Sequence, residues 1–510
     1  MKRKAIIFLF CVTLPLSLLA RTAVAGPVSG FNSAQASSVW SAALLYIEPR
    51  ALNDVTIPQM TLWGLNGLAA LDPNLNATLQ DGQIRLYGPN RMLIALPAPN
   101  ANNAAAWGQA AAKVAAVAYA NSTPLQQAGT QAIISNFFDE LFNHFDPYSR
   151  YEDPTQAAQD ELMIVGLAGT GITLEAQSNH VVIASVAADS PAMNNGLTPG
   201  MVVTSVNGRR VYPGMVTSLN NGMAGLPDSP YTLSFIDPSA GNGTSQSVTL
   251  KRSLIPLQTV FAEPDLAPGV AMLKITGFNK GTGDQFAQAL ATLVTTNPDL
   301  KGLVLDLRGN RGGVVRQAVL VADSLMSSGV IVKTHGRDPD ANQDFTAEGA
   351  DLTNGADLVV LVDGQTASAA EILSSALADD GRGVVVGSET LGKGLIQTIT
   401  TLPDGGELFV TWSRDLAPRG WPLQGLGVMP QVCTSNGHYS LSQQLAALAQ
   451  GHNLMAPVIA KARAQRPPVN IDTILDIRNN CPADIGGELD EQAAVALIQN
   501  TKMYQSALLH

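Results

Sequence analysis

Ser368 lies in the run Gln365-Thr366-Ala367-Ser368-Ala369-Ala370-Glu371-Ile372, and Lys393 in Gly392-Lys393-Gly394-Leu395-Ile396-Gln397. A serine nucleophile at neutral pH needs a base to take its proton. The six histidines, His144, His180, His335, His438, His452 and His510, include none set in a run of comparable character. Lys393 is different: glycines flank it, and its neighbours Leu391, Leu395 and Ile396 are apolar. Desolvation disfavours an ammonium ion, so a lysine buried among such residues becomes a neutral amine able to act as a general base. An exposed lysine in a Gly-rich hairpin is the alternative that spacing alone leaves open.

The surrounding pattern says how such a pair would be positioned. Residues 358–362 (Leu-Val-Val-Leu-Val) and 384–386 (three valines) read as strands buried on both faces. Between them a turn of small residues places Ser368 at the mouth of a short helix. Free backbone N–H groups and the helix dipole favour negative charge there, which suits a reaction that develops an oxyanion. A second Gly-rich turn, Arg308-Gly309-Asn310-Arg311-Gly312-Gly313, follows the strand expected at 303–307 and precedes a helix from Val314. Glycines between a strand and a helix can cradle phosphate or form an oxyanion site. No Gly-Lys-Ser/Thr follows, so a P-loop is excluded.

These motifs resemble the catalytic core of the carboxyl-terminal (tail-specific) processing peptidases, a family of Ser/Lys endopeptidases. The family pattern is Ser-Ala-Ser-Glu-Ile after a strand, then Asp-x-Gly-Arg, then Gly-Lys-Gly-x-x-Gln. Here it reads 368–372, Asp379-Asp380-Gly381-Arg382 and 392–397, continuing through 402–406 and 424–430. The resemblance implies Ser368 as nucleophile, Lys393 as base and Gln397 as the residue that orients the lysine. It also implies oxyanion N–H groups from Ala369 and from Gly312 or Gly313. Ala370 departs from the family's second serine. Gly309 and Arg311 stand where the family has Asn and a variable residue, often Pro. The implied activity is serine endopeptidase chemistry through an acyl-enzyme, with no metal and no organic cofactor. The implied architecture is multidomain α/β with a ClpP/crotonase-like α/β catalytic core at about 256–436.

The rest of the chain fits around that core. At 510 residues it exceeds one hydrophobic core, and roughly two to four domains are expected. With 46% hydrophobic and 14% charged residues the chain is globular. A net charge of −11 and a pI near 5.0 argue against nucleic acid as partner. Residues 1–25 read as a signal peptide: Lys2-Arg3-Lys4, an apolar run, then Ala23-Val24-Ala25 before Gly26. The expected location is periplasmic or secreted, with membrane contact only in transit; an uncleaved N-terminal anchor is the lesser alternative. Cys11 lies inside this leader, so the mature chain keeps Cys433 and Cys481. Export permits a disulfide between them, and their even count favours pairing over two free thiols.

Residues 27–158 read as a helical scaffold or dimerisation element, which leaves a homo-oligomer open. Within it the stretch from Phe137 to Tyr151 resembles the helix and Asp-Pro turn that precede the family's PDZ domain, and His144 reads as a surface residue. Residues 160–253 are strand-rich, with Ser190-Pro191-Ala192 through Leu197, Pro199-Gly200 and Asn207-Gly208 as turn landmarks. This stretch resembles a PDZ domain, which binds an extended peptide tail at a sheet edge and holds its carboxylate on backbone N–H groups. The matching loop is Gly169-Thr170-Gly171-Ile172, and the implied partners are proteins or peptides with free C-termini. A module that no longer binds peptide is the alternative. Residues 437–510 read as a helical tail without catalytic residues. Two other functions compete with the peptidase. A metallohydrolase finds no His-x-x-x-His or clustered His/Cys pattern. A catalytically silent PDZ adaptor would not need Ser368, Lys393 and Gln397.

Overall fold

The computed structural model describes residues 30–509 apart from 166, 188–189, 241–242 and 256. The expected signal peptide lies outside the described residues. Four main helices come first: α1 (Ser33–Arg50), α2 (Ile57–Asn66), α3 (Ala104–Asn121) and α4 (Thr123–Phe142). Asn32, Thr56, Asn103 and Ser122 cap them, each side chain accepting a first-turn N–H that the helix leaves unpaired. Trp40 of α1 stacks on Phe137 of α4 with ring centroids 4.5 Å apart.

The expectation of an essentially helical 27–158 is corrected here. Residues 76–97 form an antiparallel sheet of β1 (Asn76–Gln80), β2 (Gln83–Tyr87) and β3 (Met92–Pro97). Asp81 and Gly82, with φ of +50° and +69°, make the two-residue hairpin turn. Ile84 and Leu86 alternate inward on β2, a period-two signal obscured by the Ala-rich helices around it. A short strand, β4 (Arg150–Glu152), then leads out of the region.

The next stretch holds β5 (Leu167–Gly169), β6 (Ile172–Gln177), β7 (His180–Val186), β8 (Val202–Val206), β9 (Arg209–Arg210), the short helix α5 (Val216–Asn221), β10 (Pro230–Ile236), β11 (Ser245–Lys251) and β12 (Ser253–Ile255). Its main sheet runs β11-β10-β8-β7-β6, which leaves β6 at an edge; β5 pairs with β12. Leu174, Ile183, Leu233 and Phe235 are among the residues of its separate hydrophobic core.

The remaining strands are β13 (Val260–Ala267), β14 (Val270–Ile275), β15 (Gly302–Asp306), β16 (Val330–Gly336), β17 (Gln343–Thr346), β18 (Asp357–Val362), β19 (Val384–Gly387), β20 (Leu395–Thr401), β21 (Glu407–Leu416) and β22 (Val432–Cys433). Helices α6 (Thr282–Thr296), α7 (Val315–Asp323) and α8 (Ala369–Asp379) interleave with them. The main sheet runs β13-β14-β15-β18-β19-β22, parallel from β14 onward, with β13 antiparallel at the edge. A second sheet, β17-β16-β21-β20, also takes β4 against β21.

One face of the main sheet packs on Phe286 of α6, Ala322 of α7, and Ile372 and Leu377 of α8. The other packs on two C-terminal helices, α9 (Glu488–Ile498) and α10 (Thr501–Ala507), through Ala493, Leu497 and Tyr504. The Tyr504 hydroxyl accepts the Leu358 N–H at 2.8 Å and donates to the Leu358 carbonyl at 3.1 Å. The expected tail is thus the second covering layer of the sheet, which is why its strands read as unbroken apolar runs. Cys433 at the end of β22 is disulfide-bonded to Cys481. Among the described residues, no helix is long and apolar enough to cross a membrane.

Candidate active site

Ser368 stands where β18 has turned into α8. Asp363, at the end of β18, accepts the N–H groups of Gly309, Gln365 and Thr366, each at 3.0 Å. The Thr366 hydroxyl donates to the Leu307 carbonyl at 3.0 Å, and the Ala367 N–H donates to the Asn310 carbonyl at 2.9 Å. The turn is therefore tied on two sides to the loop that follows β15. Ser368 itself takes φ +55° and ψ −119°, a conformation rare for a residue with a side chain. Holding it costs on the order of 1–3 kcal/mol, tolerable only because the surrounding hydrogen bonds over-determine the turn.

The Gly-rich turn after β15 lies directly against the serine. A Cβ on Gly312, whose φ is +92°, would come 2.8 Å from the Ser368 Cβ and 2.9 Å from the Ala369 nitrogen. Only glycine permits that approach. The two oxyanion candidates on this turn separate cleanly. The Gly312 N–H donates to the Asn310 side chain at 2.9 Å, whereas the Gly313 N–H has no hydrogen-bond partner among the described residues. Neither does the N–H of Ala369, the first residue of α8. Two N–H groups without a partner among the described residues thus lie next to Ser368 and Gly312 in the chain, while Gly312 supplies the close contact and no donor.

Glu371 connects the serine to the lysine. Its side chain is fully buried and accepts the Ser368 N–H at 2.8 Å, the Gly392 N–H at 2.7 Å and the Lys393 N–H at 2.9 Å. The Thr390 hydroxyl is a fourth donor. Burial pushes the Glu371 carboxyl above its usual range, and these four hydrogen bonds act against that shift. The sequence motif contains Glu371 without showing this role. A glutamate three residues after a helix N-cap is the signal that could have found it.

The lysine is held differently. Gly392 takes the left-handed φ of +85° just before it. The Lys393 amine, however, sits 4.9 Å from the centroid of the Tyr148 ring, and no hydrogen bond joins it to the Ser368 Oγ. Burial pulls its pKa below the ordinary lysine value. Arg150 acts in the same direction, while Asp415, Glu371 and Asp146 act against it.

Gln397 does not meet Lys393 either. Its amide donates to the Leu395 carbonyl at 3.2 Å and to the Thr411 hydroxyl at 3.1 Å. Thr411 donates in turn to Asp146 at 2.7 Å. A register shift falls between Ile396 and Gln397, which pairs with Thr411 of β21, so the orienting role that the resemblance implies for Gln397 is not carried by a direct bond to the lysine.

Asp415 was not anticipated. It is 1% exposed, and neither carboxylate oxygen has a hydrogen-bond partner among the described residues. Burial pushes it up to about 8, with Glu371 adding to the shift and Lys393 opposing it. Its signal was an inward polar stripe on β21, where Thr411, Ser413 and Asp415 alternate on one buried face.

Away from this centre, Gly169 pairs with Ser253, and Thr170 is fully buried with its hydroxyl on the Met223 sulfur. Gly171 takes φ +81° against Ser190, and Ile172 opens the edge strand β6. The N–H groups of Thr170 and Gly171 have no hydrogen-bond partner among the described residues.

Residues 269–434, which carry both Gly-rich turns and the serine, match the family described as peptidase family S41. The chain belongs to that family and is a serine-type peptidase. It is 30% identical over 305 residues to a carboxy-terminal-processing protease of Bartonella bacilliformis, covering 59% of this chain and 69% of the relative. It is 33% identical over 291 residues to a carboxyl-terminal-processing protease of Synechocystis, covering 56% and 67%. A solved photosystem II D1 C-terminal processing protease shares 26% identity, with 73% of this chain and 92% of that one covered and a TM-score of 0.37.

Proposed function

We propose that the protein is an exported serine endopeptidase that selects substrates through their C-terminal tails and cleaves them by a Ser368/Lys393 dyad. The observation that carries the reading is the strained Ser368 backbone, with the unpaired N–H groups of Ala369 and Gly313 beside it. In acylation, neutral Lys393 takes the Ser368 proton as Oγ attacks the scissile carbonyl. The oxyanion forms against the two N–H groups, and the ammonium returns its proton to the leaving amine. Water then releases the acyl group with Lys393 again as base. Glu371 sets the separation of the two residues through their backbones. Gln397 acts on the lysine's surroundings through Thr411 and Asp146.

The stretch 160–253 serves as a PDZ-like tail-binding module. Edge strand β6 and the N–H groups of Thr170 and Gly171, which have no partner among the described residues, would receive an extended chain and its carboxylate. The signal peptide supports a periplasmic or secreted location. The placement of Lys393 on Tyr148 favours a resting form, and it is also the observation that keeps the silent-adaptor reading in play. Digestion of a panel of unfolded proteins decides between them. The wild type cleaves and Ser368→Ala does not; no cleavage by purified wild type with tails offered at high concentration would leave the adaptor.

A further inference from the structure

Edge strand β6 does not present all of its outer hydrogen-bonding groups to solvent. The Leu174 N–H donates to the Asn220 Oδ1 at 2.9 Å, and the Asn220 Nδ2 donates to the Leu174 carbonyl at 2.9 Å. Asn220 belongs to α5, which packs beside β6. Leu174 turns its side chain into the module's core, so its backbone groups are the ones left facing the edge. A primary amide presents an N–H donor and its carbonyl acceptor side by side, as a single strand residue does with its own N–H and C=O. Bonded to both groups of a single edge residue, it does what one residue of an added strand would do.

We infer that Asn220 is a built-in stand-in for the substrate's tail: in the free protein its side-chain amide occupies the position on β6 that the N–H and C=O of one tail residue take on docking. This rests on the tail-docking function proposed above. A tail whose carboxylate lies on the Thr170–Gly171 N–H groups runs along β6 and reaches Leu174 about 7 Å beyond Ile172, at roughly 3.3–3.4 Å per residue. There it meets Asn220 within the tail's last few residues. Docking is then an exchange, with two hydrogen bonds from the tail replacing two from Asn220. The backbone of the tail gains little at this point. Selection falls on the carboxylate and on the side chains that precede it, so that internal extended segments, which have no carboxylate, do not displace the amide.

Binding to the full chain carrying Ser368→Ala, which prevents turnover, tests the inference. The probe is a fluorescent ten-residue peptide ending Ala-Leu-Val, offered with a free carboxylate and as its C-terminal amide. Asn220→Ala should bind the carboxylate peptide about tenfold more tightly than the protein with Asn220 intact, the size of one to two net hydrogen bonds. Asn220→Asp keeps the acceptor for the Leu174 N–H but loses the donor to its carbonyl, and should fall between the two. The amide form should bind more weakly to all three. Hydrogen exchange at the Leu174 amide should quicken in Asn220→Ala and slow again when peptide is added. Equal or weaker binding by Asn220→Ala, with its melting temperature unchanged, overturns the inference and leaves tail docking standing. If Asn220→Ala unfolds, equal binding by Asn220→Asp does the same. No binding by any of the three removes tail docking, and the inference with it.

Discussion

The two sides of the candidate active site are built to different standards. On the serine side, Asp363, Thr366, Asn310 and Glu371 fix the turn through hydrogen bonds of 2.8–3.0 Å, and the nucleophile's backbone stays in a strained conformation. On the lysine side the backbone is as firmly fixed, by Glu371, but the side chain is not. Its amine rests on the face of Tyr148, with an unpaired carboxyl, Asp415, among the charges that act on it. The serine turn is thus fixed by its hydrogen bonds, whereas Lys393 has a fixed backbone and an amine with no hydrogen bond among the described residues.

Removing either chemical partner should have the largest effect. Ser368→Ala and Lys393→Ala should each lower kcat by about 10⁴-fold or more without loss of fold, read by peptide hydrolysis alongside circular dichroism. Substantial residual cleavage by Lys393→Ala would mean that another base serves the serine. Glu371→Gln joins the two halves of the comparison in one test. It places an amide donor among four donors at a fully buried site, and should cost about 2–4 kcal/mol in urea unfolding as well as most of the activity. Full stability in that variant would show that the carboxylate does not hold the two sides together.

Asp415 tests the lysine side through pH. Its folded pKa, about 8, lies above the ordinary carboxylate value. Its contribution to stability is therefore fully present below that ordinary value and is lost as pH rises through about 8. Asp415→Asn keeps a neutral group at every pH, so stability should fall less between pH 5 and pH 9 than in the wild type. An equal change in unfolding free energy between the two pH values in both proteins, read from urea melts, would contradict the assignment. The smallest effect belongs to Tyr148→Leu. Removing a ring that favours the charged amine should move the rising limb of kcat/KM to lower pH, by an amount corresponding to about 0.5–2 kcal/mol, with Tyr148→Phe close to wild type.

The serine side was legible in the sequence because its parts are local. A buried strand, small residues and a helix start lie side by side in 357–379, and the Gly-rich turn after β15 announces its own backbone requirements. The lysine side was not, because its partners come from distant segments. Tyr148 and Asp146 precede β4, while Thr411 and Asp415 lie on β21, and nothing in the spacing of Gln397 reveals the register shift before it or its pairing with Thr411. The same limit hid the three-stranded sheet at 76–97, whose alternation is short and lies between Ala-rich helices. It also hid the part played by 488–507, whose apolar face shows its use only once the sheet it covers is known.

The central claim is that Ser368 is a nucleophile whose base is Lys393, and acylation itself tests it most directly. A peptide ester mixed with enzyme under single-turnover conditions, followed by intact-mass and fragment analysis across pH 6–10, reports which residue is acylated and how fast. The account predicts an acyl adduct on Ser368 that forms faster as pH rises, because burial holds the lysine's pKa below its ordinary value, and almost no adduct in Lys393→Ala. An adduct on another residue, or acylation of Ser368 at the wild-type rate in Lys393→Ala, would contradict it.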